Sequence, residues 1–243
     1  MTETGLAAVR EPGPAVKKVI RQVADSLEKN CRQHNCLMVA VTGSIACGKS
    51  TVSGMLQDLG SPLIDFDRIA REVVAPGTPG YDRIVSCFGS RVVQPDGTLN
   101  RKALSDIVFS DVNKRKHLEQ ITHPLIFNAF LTQVEDLTAG SPDAIIQVAV
   151  PLLIELNIQH LFHKVIVVYL PRDIQLKRLA DRDGISLETA GAIIGSQLSA
   201  DEKKPHADYV IDNSRDLEQT KKQVAQVWQQ LQAVRKQRHR NTV

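Results

Sequence analysis

The residues from Gly43 to Thr51, with the sequence GSIACGKST, have the types and spacing needed to hold a nucleotide phosphate. Glycines allow backbone N–H groups to turn inward around phosphate oxygens, and a helix that follows directs its positive end to the same place. In the pattern G-x-x-x-x-G-K-[ST], Lys49 reaches the β- and γ-phosphates and the Ser50 hydroxyl is placed for Mg²⁺. We therefore predict that the chain binds a nucleoside triphosphate; the alternative is a glycine-rich turn without a ligand.

The sequence around this loop favours a kinase over other nucleotide-binding proteins. Leu37–Val41 is a short apolar run typical of a buried strand, and Thr51–Leu59 has helical spacing. A GTPase usually carries Asn-Lys-x-Asp, but the Asn-Lys pair at Asn113 lacks the aspartate. A motor ATPase usually has an apolar strand that ends in Asp-Glu, and no predicted strand of this chain does.

Two carboxylates follow the second predicted strand, Pro62–Asp65, and are candidates for the acceptor side of the reaction. We expect this strand to lie next to the strand that precedes the loop, so that Asp65 and Asp67 lie in the crevice where open α/β sheets bind ligands. A carboxylate there can accept a hydroxyl proton or help to hold Mg²⁺. The alternative is that one of them only caps the helix predicted over 67–74.

Strands alternate with helices along most of the chain, which predicts an α/β fold with a central parallel sheet covered on both faces. We divide the chain into an N-terminal extension (1–36), a kinase domain (37–235) and a basic tail (236–243) for which a solvated end is the favoured interpretation. Within the extension, residues 16–28 have the spacing of an amphipathic helix, which either packs on the domain or stays mobile.

The composition sets limits on location and partners. The chain has 243 residues, a net charge of +3 and four irregularly spaced cysteines, which favours a reducing cytoplasm over a disulfide framework. No apolar run reaches the ~18 residues of a membrane span, and the N-terminus lacks the pattern of a secretory signal. Cys31 and Cys36 flank His34, but no second pair at zinc-finger spacing follows. We expect no membrane or nucleic-acid partner; the oligomeric state stays open.

Several further segments of the sequence match the pattern of one known family. From Leu37 to about Leu231 the chain resembles the dephospho-coenzyme A kinases, which are P-loop kinases similar to the nucleoside monophosphate kinases. Besides the loop, the matching segments are Ile64–Asp67 with Ile69–Val74, Asp96–Leu99, His123–Ile126, Val150–Leu153 with Glu155, Gln175–Arg178, and Ala207–Asn213.

The resemblance implies a fold, a reaction and a set of roles. The fold is the three-layer P-loop fold with a helical lid, at about 184–205, and a substrate-binding excursion between residues 74 and 137. The reaction is the ATP- and Mg²⁺-dependent phosphorylation of the 3′-hydroxyl of dephospho-CoA, the last step of coenzyme A biosynthesis. By analogy Asp67 is the base, and Arg178 stabilises charge on the transferring phosphoryl group.

The loop pattern, the residue types and the resemblance together give a set of expected binding residues. The expected nucleotide-binding residues are Gly43, Ala46, Cys47, Gly48, Lys49, Ser50, Thr51 and Asn213. The expected substrate-binding residues are Thr42, Arg71 and His123, with Arg101 as a further candidate, and the expected metal ligands are Ser50 and Asp65.

Structural roles remain open for several of these residues. Arg178 suits a solvated helix face, Thr42 an ordinary strand position, and Asn213 a turn. Arg71 and Arg101 suit structural salt bridges, and we expect His123 to line a pocket or cap a helix, without a proton role.

The loop departs from the family pattern, which is richer in glycine, at Ser44, Ala46 and Cys47. Side chains at the first two positions restrict the backbone angles that the loop can adopt. Cys47 lies near Lys49 and a helix N-terminus, two features that lower a thiol pKa, so we expect a reactive thiol that bound ATP protects; the alternative is an inert small residue.

Two other functions compete with this one. A different small-molecule kinase would use Asp67 on another acceptor. A nucleotide-binding module without acceptor chemistry would tolerate the loss of the Asp67 carboxylate.

Overall fold

A five-stranded sheet organises the chain in the computed structural model, which describes residues 13–242. The strands are β1 (Leu37–Thr42), β2 (Leu63–Asp65), β3 (Ile145–Ala149), β4 (Lys164–Tyr169) and β5 (Tyr209–Asp212). Their order is β2-β3-β1-β4-β5, and the sheet is parallel. Val39 of β1 lies opposite Gln147 of β3, and Val41 lies opposite Ile166 of β4. The predicted α/β fold is therefore confirmed.

Ten α-helices occur in the described part of the chain. They are α1 (Pro14–His34), α2 (Lys49–Asp58), α3 (Phe66–Glu72), α4 (Pro79–Phe88), α5 (Arg101–Ser110), α6 (Val112–Gly140), α7 (Arg172–Asp183), α8 (Leu187–Ile194), α9 (Ala200–Lys203) and α10 (Leu217–Thr242). None of the described helices is long and apolar enough to cross a membrane.

The chain forms two compact units. The first contains residues 28–64 and 137–242 and includes most of the sheet; the second contains residues 13–27 and 65–136. Every residue of β1 is buried, because helices cover both faces of a parallel sheet. Apolar side chains from α2, α10 and the central strands form the core of the first unit, whereas Val74, Ile84, Phe88 and Leu104 belong to the core of the second.

The N-terminal extension is helical where it is described. Val16, Ile20, Val23, Leu27 and Cys31 lie one helical turn apart along α1 and are all buried. Of the two possibilities that the sequence left open, a packed helix is the one observed. The first twelve residues of the predicted extension lie outside the described residues.

The predicted basic tail is helical in its described part, because α10 continues to Thr242. Arg238, His239 and Arg240 are exposed on it. The solvated end expected from the sequence is therefore the last part of a helix.

Two expectations from the sequence differ from the structure. Strand β2 does not lie next to β1, because β3 lies between them. Helix α6 begins at Val112, so Pro124 is internal to it, and His123 is not at a helix start and does not cap a helix as the sequence allowed. A proline removes one backbone hydrogen bond, but a helix of 29 residues with buried Phe127 and Phe130 continues past it.

Candidate active site

The phosphate-binding loop connects β1 to α2 through a backbone with several positive φ angles. Gly43 has φ of 152°, Ala46 of 58° and Gly48 of 92°. A Cβ at Gly48 would lie 2.1 Å from Nδ2 of Asn213, so only glycine fits there. Ala46 occupies the left-handed region with a side chain present, which costs about 1–2 kcal/mol. The sequence predicted that a side chain at position 46 would restrict the backbone. In the structure this restriction is the unfavourable positive φ angle of Ala46.

The N-terminus of α2 has no side-chain cap and can bind an anion through its backbone N–H groups. Gly48 occupies the N-cap position, and no side chain caps the helix. Ser50 and Thr51, in the first turn, are exposed. The first N–H groups of a helix lack intrahelical partners and carry partial positive charge, so this end is suited to phosphate oxygens.

The Lys49 side chain folds back over the loop. Its Nζ donates to the carbonyl oxygens of Gly43 at 2.8 Å and of Ser44 at 3.3 Å. Both acceptors are neutral, whereas phosphate oxygens are charged and make stronger hydrogen bonds. The ammonium group is therefore held at the loop by bonds that a phosphate can replace.

The segment that follows α8 supports the loop. The Ser44 hydroxyl donates to the carbonyl of Leu198 at 2.9 Å, and the Ile45 N–H donates to Oε1 of Gln197 at 3.1 Å. Nε2 of Gln175, in α7, donates to the Ile45 carbonyl at 2.6 Å. The serine found where the family pattern has glycine thus anchors the loop.

Asn213, directly after β5, closes the other side of the loop. Its Nδ2 donates to the Cys47 carbonyl at 2.9 Å, and its Oδ1 accepts from the Thr220 hydroxyl at 2.9 Å. Nη2 of Arg178 donates to the Asn213 carbonyl at 3.2 Å. Within the first unit the structure thus brings together the loop, Asn213 and Arg178, and the Asn213 amide acts as a loop clamp.

A buried ion pair lies behind this support. Nζ of Lys203 is 2.9 Å from Oε1 of Glu155, and the Lys203 side chain is fully buried. Lys203 also donates to the Pro151 carbonyl at 2.8 Å, and Oε1 of Glu155 accepts from the Leu198 N–H at 3.1 Å. Burial lowers the Lys203 pKa, whereas the Glu155 charge opposes that shift. The pair thus holds the segment that contacts Ser44.

Two predicted residues of the first unit are more enclosed than expected. Thr42 is fully buried, and its hydroxyl donates to the Pro151 carbonyl at 3.3 Å. Burial raises the Cys47 thiol pKa, and the Lys49 charge opposes this only in part. The expectation of a low thiol pKa is wrong, because desolvation of the thiolate outweighs the nearby positive charge.

In the second unit, the two aspartates after β2 have different environments. Asp65 is the N-cap of α3, and its Oδ1 accepts from the backbone N–H groups of Asp67 at 2.8 Å and of Arg68 at 3.4 Å. Asp67 lies in the first turn and is exposed. The capping role that the sequence left open therefore belongs to Asp65.

The other predicted residues of this unit lie on three helices. Arg71, in α3, and Arg101, at the start of α5, are exposed. Arg101 and Lys102 border a cleft of about 490 Å³. His123 is partly buried in α6 with its ring perpendicular to that of Phe127, and burial lowers its pKa, so it is neutral at pH 7.

No role was expected from the sequence for Gln175, Gln197, Glu155 or Lys203. Glu155 and Gln175 belong to matching segments, but nothing in their spacing indicated which groups they would contact. A lysine in a polar stretch is usually exposed, so the burial of Lys203 had no sequence signal.

Comparison with known proteins gives consistent results. A family model described as "CoaE: Dephospho-CoA kinase" matches residues 37–219. The dephospho-CoA kinase of Moorella thermoacetica is 44% identical, with 80% of this chain and 92% of that protein covered. That of Syntrophus aciditrophicus is 41% identical, with 82% and 85% covered.

Solved structures agree with these matches. The dephospho-CoA kinase from Campylobacter jejuni is 33% identical with a TM-score of 0.60, over 81% of this chain and 97% of that one. The Thermus thermophilus protein TT1252 is 29% identical with a TM-score of 0.71, over 80% and 97%.

The strain at Ala46 predicts an unusual response to glycine. In Ala46→Gly, relief of the left-handed backbone offsets the added chain entropy, so the free energy of unfolding stays unchanged or rises by up to about 1 kcal/mol. The matched control Ala233→Gly, at an exposed position within α10, should lower it by about 1 kcal/mol. Urea denaturation measures both, and equal losses in the two variants would contradict the strain at Ala46.

The buried ion pair predicts strong non-additivity. Lys203→Met leaves the Glu155 carboxylate buried and unpaired and should lower the free energy of unfolding by about 3–5 kcal/mol. Adding Glu155→Leu removes the unpaired charge and should restore most of the loss. Lys204→Met, which removes a partly exposed neighbour, should change stability by less than about 1 kcal/mol. Additive effects of the two changes at 155 and 203 would argue against the pair.

Proposed function

The chain belongs to the dephospho-CoA kinase family, and we propose that Lys49, Asp67 and Arg178 carry its phosphoryl transfer. The reaction is the ATP-dependent phosphorylation of the 3′-hydroxyl of dephospho-CoA, which yields CoA and ADP and completes coenzyme A biosynthesis. The observation that carries the assignment of ATP to the loop is the exposed, uncapped N-terminus of α2, with Lys49 folded over the loop.

The loop binds the ATP phosphates in this proposal. The residues that take part are Gly43, Ala46, Cys47, Gly48, Lys49, Ser50 and Thr51, mainly through backbone N–H groups. Lys49 exchanges its two carbonyl partners for phosphate oxygens and places positive charge where negative charge develops in the transition state. Asn213 contributes by fixing the loop through the Cys47 carbonyl.

Asp67 acts as the general base for the acceptor hydroxyl. Because Asp65 already caps α3, the helix does not need the Asp67 carboxylate for that purpose, and Asp67 is exposed to a substrate. It orients the 3′-hydroxyl and accepts its proton as the oxygen attacks the γ-phosphorus.

Arg178 stabilises the transferring phosphoryl group. A guanidinium stays charged and offers a planar set of donors that matches phosphate oxygens. One of its nitrogens already holds the Asn213 carbonyl, and this contact fixes the side chain beside the loop clamp. A solvated helix face, the alternative left open by the sequence, is less consistent with this half-buried position.

Mg²⁺ is the expected metal, with Ser50 and Asp65 as ligands from the protein. No cluster of three or more metal-binding side chains occurs among residues 13–242, and Mg²⁺ bound with a nucleotide characteristically uses few protein ligands besides phosphates. The exposed Ser50 hydroxyl fits this role. Mg²⁺ held there would neutralise negative charge on the phosphates.

The second unit offers cationic groups for an anionic substrate. Arg101 and Lys102 line its cleft, and Arg71 is exposed on α3. Dephospho-CoA carries a pyrophosphate, so we assign these side chains, with neutral His123, to substrate binding. Thr42 remains a proposed substrate residue, although its hydroxyl is occupied by Pro151. We further propose that the enzyme acts in the cytoplasm and has no nucleic-acid or membrane partner.

Loss of the Asp67 carboxylate should remove catalysis and spare nucleotide binding. We expect Asp67→Asn to lower kcat by about 10²–10⁴-fold, because an amide cannot accept the proton, while the Kd for ATP changes little. Mass spectrometry of CoA and ADP with ATP, Mg²⁺ and dephospho-CoA measures the reaction, and Asp58→Asn, at an exposed position of α2, is the matched control.

The same assay separates the competing functions. Adenosine and a nucleoside monophosphate serve as parallel acceptors. ADP formed only with another acceptor would contradict the substrate, and full activity of Asp67→Asn would contradict the proposed base.

Asp65 allows a test of metal binding apart from capping. Asparagine caps a helix about as well as aspartate, so Asp65→Asn keeps the cap and removes the charge. We expect an unchanged melting temperature and a several-fold rise in the Mg²⁺ concentration for half-maximal activity. An unchanged Mg²⁺ requirement would limit Asp65 to its capping role.

A further inference from the structure

Two cysteine thiols face each other in the first unit, outside the segment that the family model covers. Sγ of Cys36 lies 2.8 Å from Sγ of Cys31, and both residues are almost fully buried, with exposures of 1% and 3%. The kinase reaction uses neither residue. All four cysteines of the chain are described and free, and the structure gives no such partner to Cys47 or Cys87.

The local backbone produces this contact. Cys31 lies in the last turn of α1, which ends at His34, and Cys36 directly precedes β1. Asn35 between them adopts a positive φ of 52°, a conformation that asparagine tolerates better than most residues. This turn reverses the chain and returns Cys36 to the face of α1 that carries Cys31.

Neighbouring groups fix the position of the pair. The Asn30 amide donates to the Thr138 hydroxyl at 3.2 Å, and its Oδ1 lies 4.0 Å from Sγ of Cys36. The hydrogen bond with Cys31 lowers the Cys36 pKa, and the charge of Arg238 acts in the same direction. Cys36 is therefore the sulfur better suited to be the thiolate, which is the form that reacts with oxidants.

We propose that Cys31 and Cys36 form an oxidisable dithiol, a modification site that closes to an intrachain disulfide. A peroxide is the class of oxidant that fits, because it is small enough to reach buried sulfur. The Cys36 thiolate and one proton convert hydrogen peroxide to water and leave a sulfenic acid on Cys36. The Cys31 sulfur then attacks Cys36 and releases a second water, so two thiols and one peroxide give one disulfide and two waters.

The disulfide connects the end of α1 to the start of β1. It closes a short loop and removes freedom from the unfolded chain, so it stabilises the fold as long as the native geometry needs little adjustment. Because the sulfurs are in contact before oxidation, the bond requires only a small movement. We expect a stabilised attachment of the N-terminal helix and unchanged kinase kinetics.

The test counts thiols in a background that lacks the exposed cysteine. The Cys87→Ser protein, at full length, is exposed to hydrogen peroxide, quenched with catalase, and labelled with N-ethylmaleimide in urea. Intact mass then reports the labels: one, on Cys47, is expected after oxidation, and three are expected in untreated or dithiothreitol-treated protein. The oxidised chain itself should be two hydrogens lighter.

Peptide mapping locates the bond. Cleavage after Arg32 by trypsin and after Leu37 by chymotrypsin places Cys31, Cys36 and Cys47 on separate peptides. A linked pair that contains Cys31 and Cys36 supports the proposal, whereas a link to Cys47 overturns it.

A cysteine variant and melting-temperature measurements serve as controls. The Cys36→Ser variant in the same background retains Cys31 and Cys47. After peroxide and then dithiothreitol, it should take up two labels, and it should never show an intrachain disulfide. Oxidation should raise the melting temperature of the parent by roughly 5 °C, and dithiothreitol should reverse the rise. Three labels after treatment, or oxidation of Cys36 beyond the sulfenic acid with Cys31 still free, would overturn the proposal. Because kinase activity is not a readout, failure here leaves the assigned reaction intact.

Discussion

A loop that turns most of its N–H groups towards a phosphate has few of them left to hold its own shape. Its conformation must therefore be maintained by groups outside it, and much of the first unit does this. Gln175, Gln197, Leu198 and Asn213 each contact a carbonyl, an N–H group or a side chain of the loop. These contacts fix the loop before the nucleotide binds, and such preorganisation is what electrostatic catalysis requires.

The buried ion pair extends this support into the interior. Lys203 and Glu155 have no solvent to stabilise their charges, so each depends on the other and on backbone partners such as the Leu198 N–H. The resemblance had placed residues 184–205 in a mobile lid. Leu198, Ala200 and Lys203 are buried, so the end of that segment has the contacts of a fixed support; a lid remains a proposal for the part before it.

The two carboxylates after β2, Asp65 and Asp67, have different roles. A helix N-terminus needs an acceptor, and Asp65 supplies it, so that Asp67 retains a carboxylate in an exposed first turn. Asn213 likewise combines several contacts in one residue. Its amide nitrogen and amide oxygen bind different partners, and its backbone carbonyl accepts a hydrogen bond from Arg178. In both places a structural residue lies directly beside a residue proposed to act on substrate.

The sequence by itself determined the α/β class, the buried strand before the loop and the phosphate-binding loop, because these depend on local apolar runs and on a short pattern of glycine, lysine and serine. Only the tertiary structure decided that β3 separates β2 from β1, that Lys203 is buried and that Cys47 is desolvated. The meeting of Cys31 with Cys36 was equally decided by folding. Strand order, burial and pKa depend on residues distant in sequence, and spacing along the chain does not encode which of those residues meet.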